Sequence, residues 1–105
     1  MKMNLFIALI LAAAPDNVIT EESSVMQIRQ SFVPAAISVK AGDVVSFLNA
    51  DDVNHNLYSI TPSGVRVDYG LQKPGEMSKL TFDSAGLYTV MCNIHPKMKM
   101  KVTAQ

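Results

Sequence analysis

The stretch that decides the fold runs from Leu87 to Thr103 and reads LYTVMCNIHPKMKMKVT. In its first part Tyr88, Val90 and Cys92 fall on one face of an extended chain, because successive side chains of a strand point to opposite sides. In its last part Met98, Met100 and Val102 share one side, and Lys99, Lys101 and Thr103 share the other. Lysines are almost never fully buried, so the sulfur-bearing side is the inward one. Cys92 and Met98 therefore both point toward a core. Between the two strands, Asn93-Ile94-His95-Pro96-Lys97 has to reverse the chain, which brings His95 to the rim of the same end.

Working outward, the same period-2 alternation recurs in short runs separated by turn formers. It predicts strands over Val25–Arg29, Ile37–Lys40, Val44–Asn49, Asn56–Ile60, Met77–Phe82, Leu87–Cys92 and Met98–Thr103. The breaks Ala41-Gly42-Asp43, Thr61-Pro62-Ser63-Gly64, Lys73-Pro74-Gly75 and Asp83-Ser84-Ala85-Gly86 all carry residues suited to turns. Phe32-Val33-Pro34 reads as a bend, because Pro34 has no N–H to give to a sheet ladder. Helical periodicity is weak throughout. The expectation is an all-β sandwich of about seven to eight strands.

The chain has 105 residues, 49% of them hydrophobic, which suits one packed domain. Lys2 followed by the apolar run Leu5 to Ala14 reads as a signal peptide over residues 1–14, too short to span a bilayer. Residues 15–23 are polar and acidic and are expected to be flexible, leaving residues 24–105 as the domain. The formal charge is zero, so nothing in the balance points to a nucleic acid or an acidic membrane as partner. A periplasmic or secreted protein that is soluble, and monomeric once mature, is expected.

Export sharpens the chemistry of Cys92, the single cysteine of the chain. It has no internal partner for a disulfide, and an accessible thiol in an oxidising compartment is soon oxidised or bridged. A buried thiolate held by a metal escapes that fate. His95 and Met98 follow Cys92 at three-residue steps, and a second imidazole is available only from His55, which opens a predicted strand. Asp51 and Asp52 beside it read as solvated turn residues rather than ligands. Two nitrogens, one thiolate and one thioether make a soft set, and a trigonal His₂Cys site with a weak axial Met suits copper in electron transfer. Met100 shares the inward parity of Met98 and reads as a core residue.

These residues resemble the cupredoxins over nearly the whole mature chain, from about Val25 to Val102. The pattern is Ile37-x-Val39-Lys40-x-Gly42-Asp43-x-Val45-x-Phe47-x-Asn49, then His55-Asn56, then Gly86-x-Tyr88, then Cys92-x-x-His95-Pro96-x-Met98. It is similar to the plastocyanin/amicyanin-like branch. The resemblance implies a Greek-key β-sandwich and one type 1 copper ion. It implies His55, Cys92 and His95 as strong ligands and Met98 as the axial one, with Asn56 and Pro96 supporting them. Asn56 is the residue whose hydrogen bonding would tie the two ligand-bearing segments together.

The function so implied is single-electron transfer by a small blue copper protein, with His95 as the exit for the electron. Ile94, Pro96 and Pro34 would form a flat apolar patch for transient docking with redox partners, such as a c-type cytochrome or a periplasmic dehydrogenase or oxidase. Lys97, Lys99 and Lys101 stand near, either to steer an acidic partner or to protect an edge. A multicopper oxidase would need more imidazoles than two, and a Cys–His hydrolase would need an orienting carboxylate in the loop, so no catalytic residues are expected. The alternative function is a copper carrier or buffer delivering Cu(I) in the periplasm. Exchange of the metal would discriminate the two.

Overall fold

The computed structural model describes residues 23–105. The expected signal peptide, and all of the expected flexible segment except Ser23, lie outside the described residues. Among the described residues nine strands follow one another: β1 (Ser23–Ile28), β2 (Ser31–Val33), β3 (Ala36–Val39), β4 (Asp43–Asn49), β5 (His55–Ile60), β6 (Arg66–Gln72), β7 (Met77–Phe82), β8 (Gly86–Cys92) and β9 (Lys99–Ala104). They form two sheets, β2-β1-β4-β7 and β3-β9-β8-β5-β6. The pairs β1–β4 and β3–β9 are parallel and the remaining pairs antiparallel.

The alternation read from the sequence is the alternation of burial. Tyr88, Val90 and Cys92 are buried on β8, and Met98, Met100 and Val102 are buried along the last strand, while Lys99, Lys101 and Thr103 are exposed. Together with Val25, Val45, Phe47, Leu57, Leu80 and Phe82 they fill the space between the sheets. Each such side chain contributes about 1.5–3 kcal/mol by leaving water. Tyr88 adds a tether: its hydroxyl accepts the Ser84 N–H at 2.9 Å and donates to the Ser84 carbonyl at 3.1 Å, closing the β7–β8 corner.

The nine strands exceed the expected seven to eight because β2 and β6 carry no alternation that a sequence reading detects. β2 is three residues long, on the edge of its sheet, and Pro34 lies just beyond its end. β6 buries Gln72 fully, packs Tyr69 partly against the core and exposes Val67 and Leu71, so no clean alternation of apolar in and polar out marks it. It is the other sheet's edge, joined to β5 with a register shift at Leu57/Tyr58 opposite Gly70, whose φ of 86° a side chain would strain.

This topology sets the ligand-bearing segments side by side. Antiparallel pairing of β5 with β8 puts Leu57 opposite Cys92, so the start of β5 and the end of β8 meet at one end of the sandwich. His55 begins β5, and the β8–β9 loop returns over it.

Candidate metal centre

His55 is fully buried and Cys92 is 1% exposed, whereas His95 in the β8–β9 loop is half-buried. The Nδ1 atoms of the two imidazoles lie 3.2 Å apart, and the Cys92 Sγ lies 3.7 Å from each. A point about 2 Å from all three atoms exists in their plane, close to the roughly 2.0–2.3 Å of nitrogen and sulfur bonds to a transition metal.

The protonation pattern leaves this point open to a cation. The Nε2 of His55 lies 2.7 Å from the Asp51 Oδ2 and donates its proton there, so the Nδ1 of a neutral ring carries a lone pair toward the centre. The His95 Nδ1 and the Cys92 Sγ face the same point, where a soft cation would satisfy all three atoms together. The donor set fits copper: imidazoles with a thiolate, held in a buried pocket of a rigid sandwich.

Asn56 ties the segments through its main chain. Its N–H donates to the Cys92 Sγ at 3.3 Å, and its carbonyl accepts the Asn93 N–H at 2.8 Å. Met98, buried to 1%, sits just before β9, and its N–H donates to the His95 carbonyl at 3.0 Å, closing the loop in a tight turn. Met100 lies deeper in the core, 1% exposed. Pro96, Lys97 and Pro34 are exposed, and Ile94 is 47% exposed beside His95 in the chain.

Asp51 departs from the sequence reading. Its side chain is only 8% exposed, and it is no solvated turn residue. Besides the His55 ring, its carboxylate accepts the backbone N–H groups of Arg29 and Gln30. Its own N–H donates to the Asn49 Oδ1 at 2.9 Å. Burial pushes its carboxyl up, but the Gln30 amide, the His55 ring and the Arg29 amide outweigh that and hold it below the usual carboxylate range. An acidic residue four positions before a candidate histidine ligand was the available signal, and it is a weak one, since Asp in a turn is ordinary.

Beneath the site lies a second feature the sequence did not announce, a buried amide cluster. The Asn49 Nδ2 donates to the carbonyls of Val53 and Gln72, at 2.9 and 3.0 Å. The Gln72 Nε2 donates to the Phe47 carbonyl at 2.8 Å, and its Oε1 accepts from the Gln27 Nε2 at 2.6 Å. These bonds stitch β1, β4 and β6 together across the two sheets and brace the loop from Ala50 to Asn54. Gln72 also stands opposite His55 in the β5–β6 ladder.

Comparison with known proteins agrees with this geometry. The sequence pattern of copper-binding proteins of the plastocyanin/azurin family matches residues 18–105. Methylamine utilization protein MauL of Methylophilus methylotrophus is 31% identical over 67 residues, which are 62% of this chain and 38% of that protein. The chain thus spans well under two thirds of that relative's length. Plastocyanin of Scenedesmus fuscus is 35% identical over 81 residues, 69% of this chain and 82% of that protein. A solved structure of a mutant amicyanin in its reduced Cu(I) form superposes with a TM-score of 0.74 at 25% identity, covering 85% of this chain and 87% of that one.

Proposed function

The chain belongs to the plastocyanin/azurin family of copper-binding proteins, and from that premise we propose that it carries one electron at a time on a single copper ion held by His55, Cys92, His95 and Met98. The family is one of electron carriers, not enzymes. The convergence of the His55 Nδ1, the His95 Nδ1 and the Cys92 Sγ within 3.7 Å of one another is the observation that carries the reading. Met98, buried at the end of the same loop, supplies the axial thioether.

Bound copper supplies a Cu(II)/Cu(I) couple, its lower state suited by sulfur and its upper state by imidazole. The protein's part is to keep the ligands from moving between the two. The β5–β8 ladder fixes where His55 and Cys92 start, and the Asn56 N–H holds the sulfur. Burial shields the thiolate from oxidants. His95, the least buried of the three, connects the centre with solvent, flanked by the exposed Ile94 and Pro96, with Pro34 and Val53 as further exposed apolar residues of the domain. Exposed apolar residues beside His95 suit weak docking of a redox partner, for which small interfaces are usual.

The partner is a transiently bound c-type cytochrome, or a dehydrogenase or oxidase of the periplasm, and the protein acts as a monomer. Residues 1–14 direct it to the periplasm or outside the cell, and among the described residues no helix is long and apolar enough to cross a membrane. The test is the visible absorption and electron paramagnetic resonance spectrum of the purified protein after addition of Cu(II). An intense thiolate-to-copper band with narrow hyperfine splitting is expected. A colourless protein, or the spectrum of ordinary tetragonal copper, would overturn the reading.

A further inference from the structure

The two residues joining β1 to β2, Arg29 and Gln30, both have positive φ, 52° and 56°. Two such residues in sequence make the turn type that fits a tight hairpin, but Asn-Gly or Gly-Gly normally occupies it, because a side chain in this conformation costs about 1–2 kcal/mol per residue. Here an arginine and a glutamine are held there, and both of their N–H groups point at one carboxylate, that of Asp51. The same carboxylate takes the Nε2–H of His55. Asp51 itself is fixed from the other side, because its N–H is bound by the buried, fully satisfied Asn49 side chain.

We infer that Asp51 is a positioning residue for the metal: it sets the tautomer and the aim of His55, and the β1–β2 turn is its support. A neutral imidazole has one proton and two nitrogens. A carboxylate can only accept, so it keeps that proton on Nε2 and leaves Nδ1 bare toward His95 and Cys92 before any metal arrives. Three donors share the charge of the carboxylate: the two turn amides and the ring. The hairpin thereby becomes part of the centre, although its residues lie more than 20 positions away from Asp51 in sequence.

The inference rests on the proposed copper ligands, and its test separates the two. In Asp51→Asn the amide oxygen can satisfy the turn N–H groups, and its NH₂ then faces Nε2, which moves the ring proton to Nδ1. Nitrogen-15 NMR of the metal-free protein reads this directly: His55 is Nε2-protonated in the parent and Nδ1-protonated in the variant. Cu(II) affinity falls about 10–100-fold, as is usual when the partner of a metal-bound histidine is lost.

A loss of folding would mimic the second result, so the same substitution is repeated in an Arg29→Asn/Gln30→Gly background, whose turn needs no carboxylate to form. There the tautomer and the affinity must still change. If His55 stays Nε2-protonated and copper binding is unaltered in that background, Asp51 serves only the turn and the inference falls. Asp51→Glu in the parent background restores an accepting carboxylate and should bind Cu(II) more tightly than Asp51→Asn; equal Cu(II) affinity of Asp51→Asn and the parent would overturn the inference. A parent protein that binds no copper while its His55 keeps the Nε2 proton overturns the copper reading and leaves the role of Asp51 standing.

Discussion

The backbone N–H of Asn56 donates to the Sγ of Cys92 across 3.3 Å, so the first residue after one imidazole-bearing position holds the sulfur that faces that imidazole. A hydrogen bond to sulfur from a strand backbone cannot be rearranged without unzipping β5 from β8. His55 and Cys92 are therefore placed by paired strands, and His95 by the loop that follows β8.

Replacement of Cys92 by Ser tests the sulfur. Serine retains the small polar shape but not the soft thiolate, so the intense colour should vanish and the remaining copper should give a tetragonal resonance spectrum. Retention of the colour would remove Cys92 from the ligand set.

Met98 and Met100 share a face, and exchange of each for Leu separates their roles. Met98→Leu should keep the colour and raise the redox potential, since loss of a thioether near the metal disfavours neither imidazole nor thiolate but weakens the axial field. Met100→Leu should leave the potential alone and cost less than about 1.5 kcal/mol of stability, as volume-conserving core exchanges do. A potential shift confined to Met100→Leu would exchange the assignments.

Tyr88→Phe removes a hydroxyl that both accepts from and donates to Ser84 while leaving the ring against Phe82, centroids 4.9 Å apart. Denaturant unfolding should show a loss of about 1–2 kcal/mol, with no change in the copper spectrum. A spectral change would mean that the far corner of the sandwich is coupled to the centre.

Gly86 opens β8 with φ of 133°, and a Cβ there would meet the Cβ and Cγ of Pro62 at 2.7 Å each. Gly86→Ala therefore adds a clash to an unfavourable backbone conformation and should destabilise the fold by about 2 kcal/mol or more, read as a lower denaturant midpoint. An unchanged midpoint would show that the Thr61–Gly64 turn moves aside freely.

The carboxyl of Asp51 is held below its ordinary 3.8, so its folded state binds fewer protons than its unfolded state near that pH. Its contribution to stability is complete well above pH 3.8, begins to fall as pH nears 3.8 and is lost as pH falls through the lower folded value. As pH falls from about 5 through and below 3.8, the metal-free parent should thus lose more stability than Asp51→Asn, which has no proton to take up. Parallel acid limbs in urea melts of the two proteins would contradict this.

Two kinds of information met in this chain. The alternation of β8 and β9 and the three-residue steps from Cys92 to His95 to Met98 were legible in the residues alone, because both depend on local periodicity: a strand turns its side chains over every second residue wherever one face meets a core. The sequence also singled out His55, since no other imidazole remained. The existence of β6 was legible only in three dimensions, for that strand buries Gln72 and packs Tyr69 partly against the core while exposing Val67 and Leu71, so pairing with β5 and one aromatic contact hold it without an alternating apolar pattern. The inward turn of Asp51 came from contacts distant in sequence. Its partners, Arg29 and Gln30, stand 22 and 21 positions away, and a carboxylate's choice between water and two distant amides is made by the packing of β1 against β4, which no local pattern encodes.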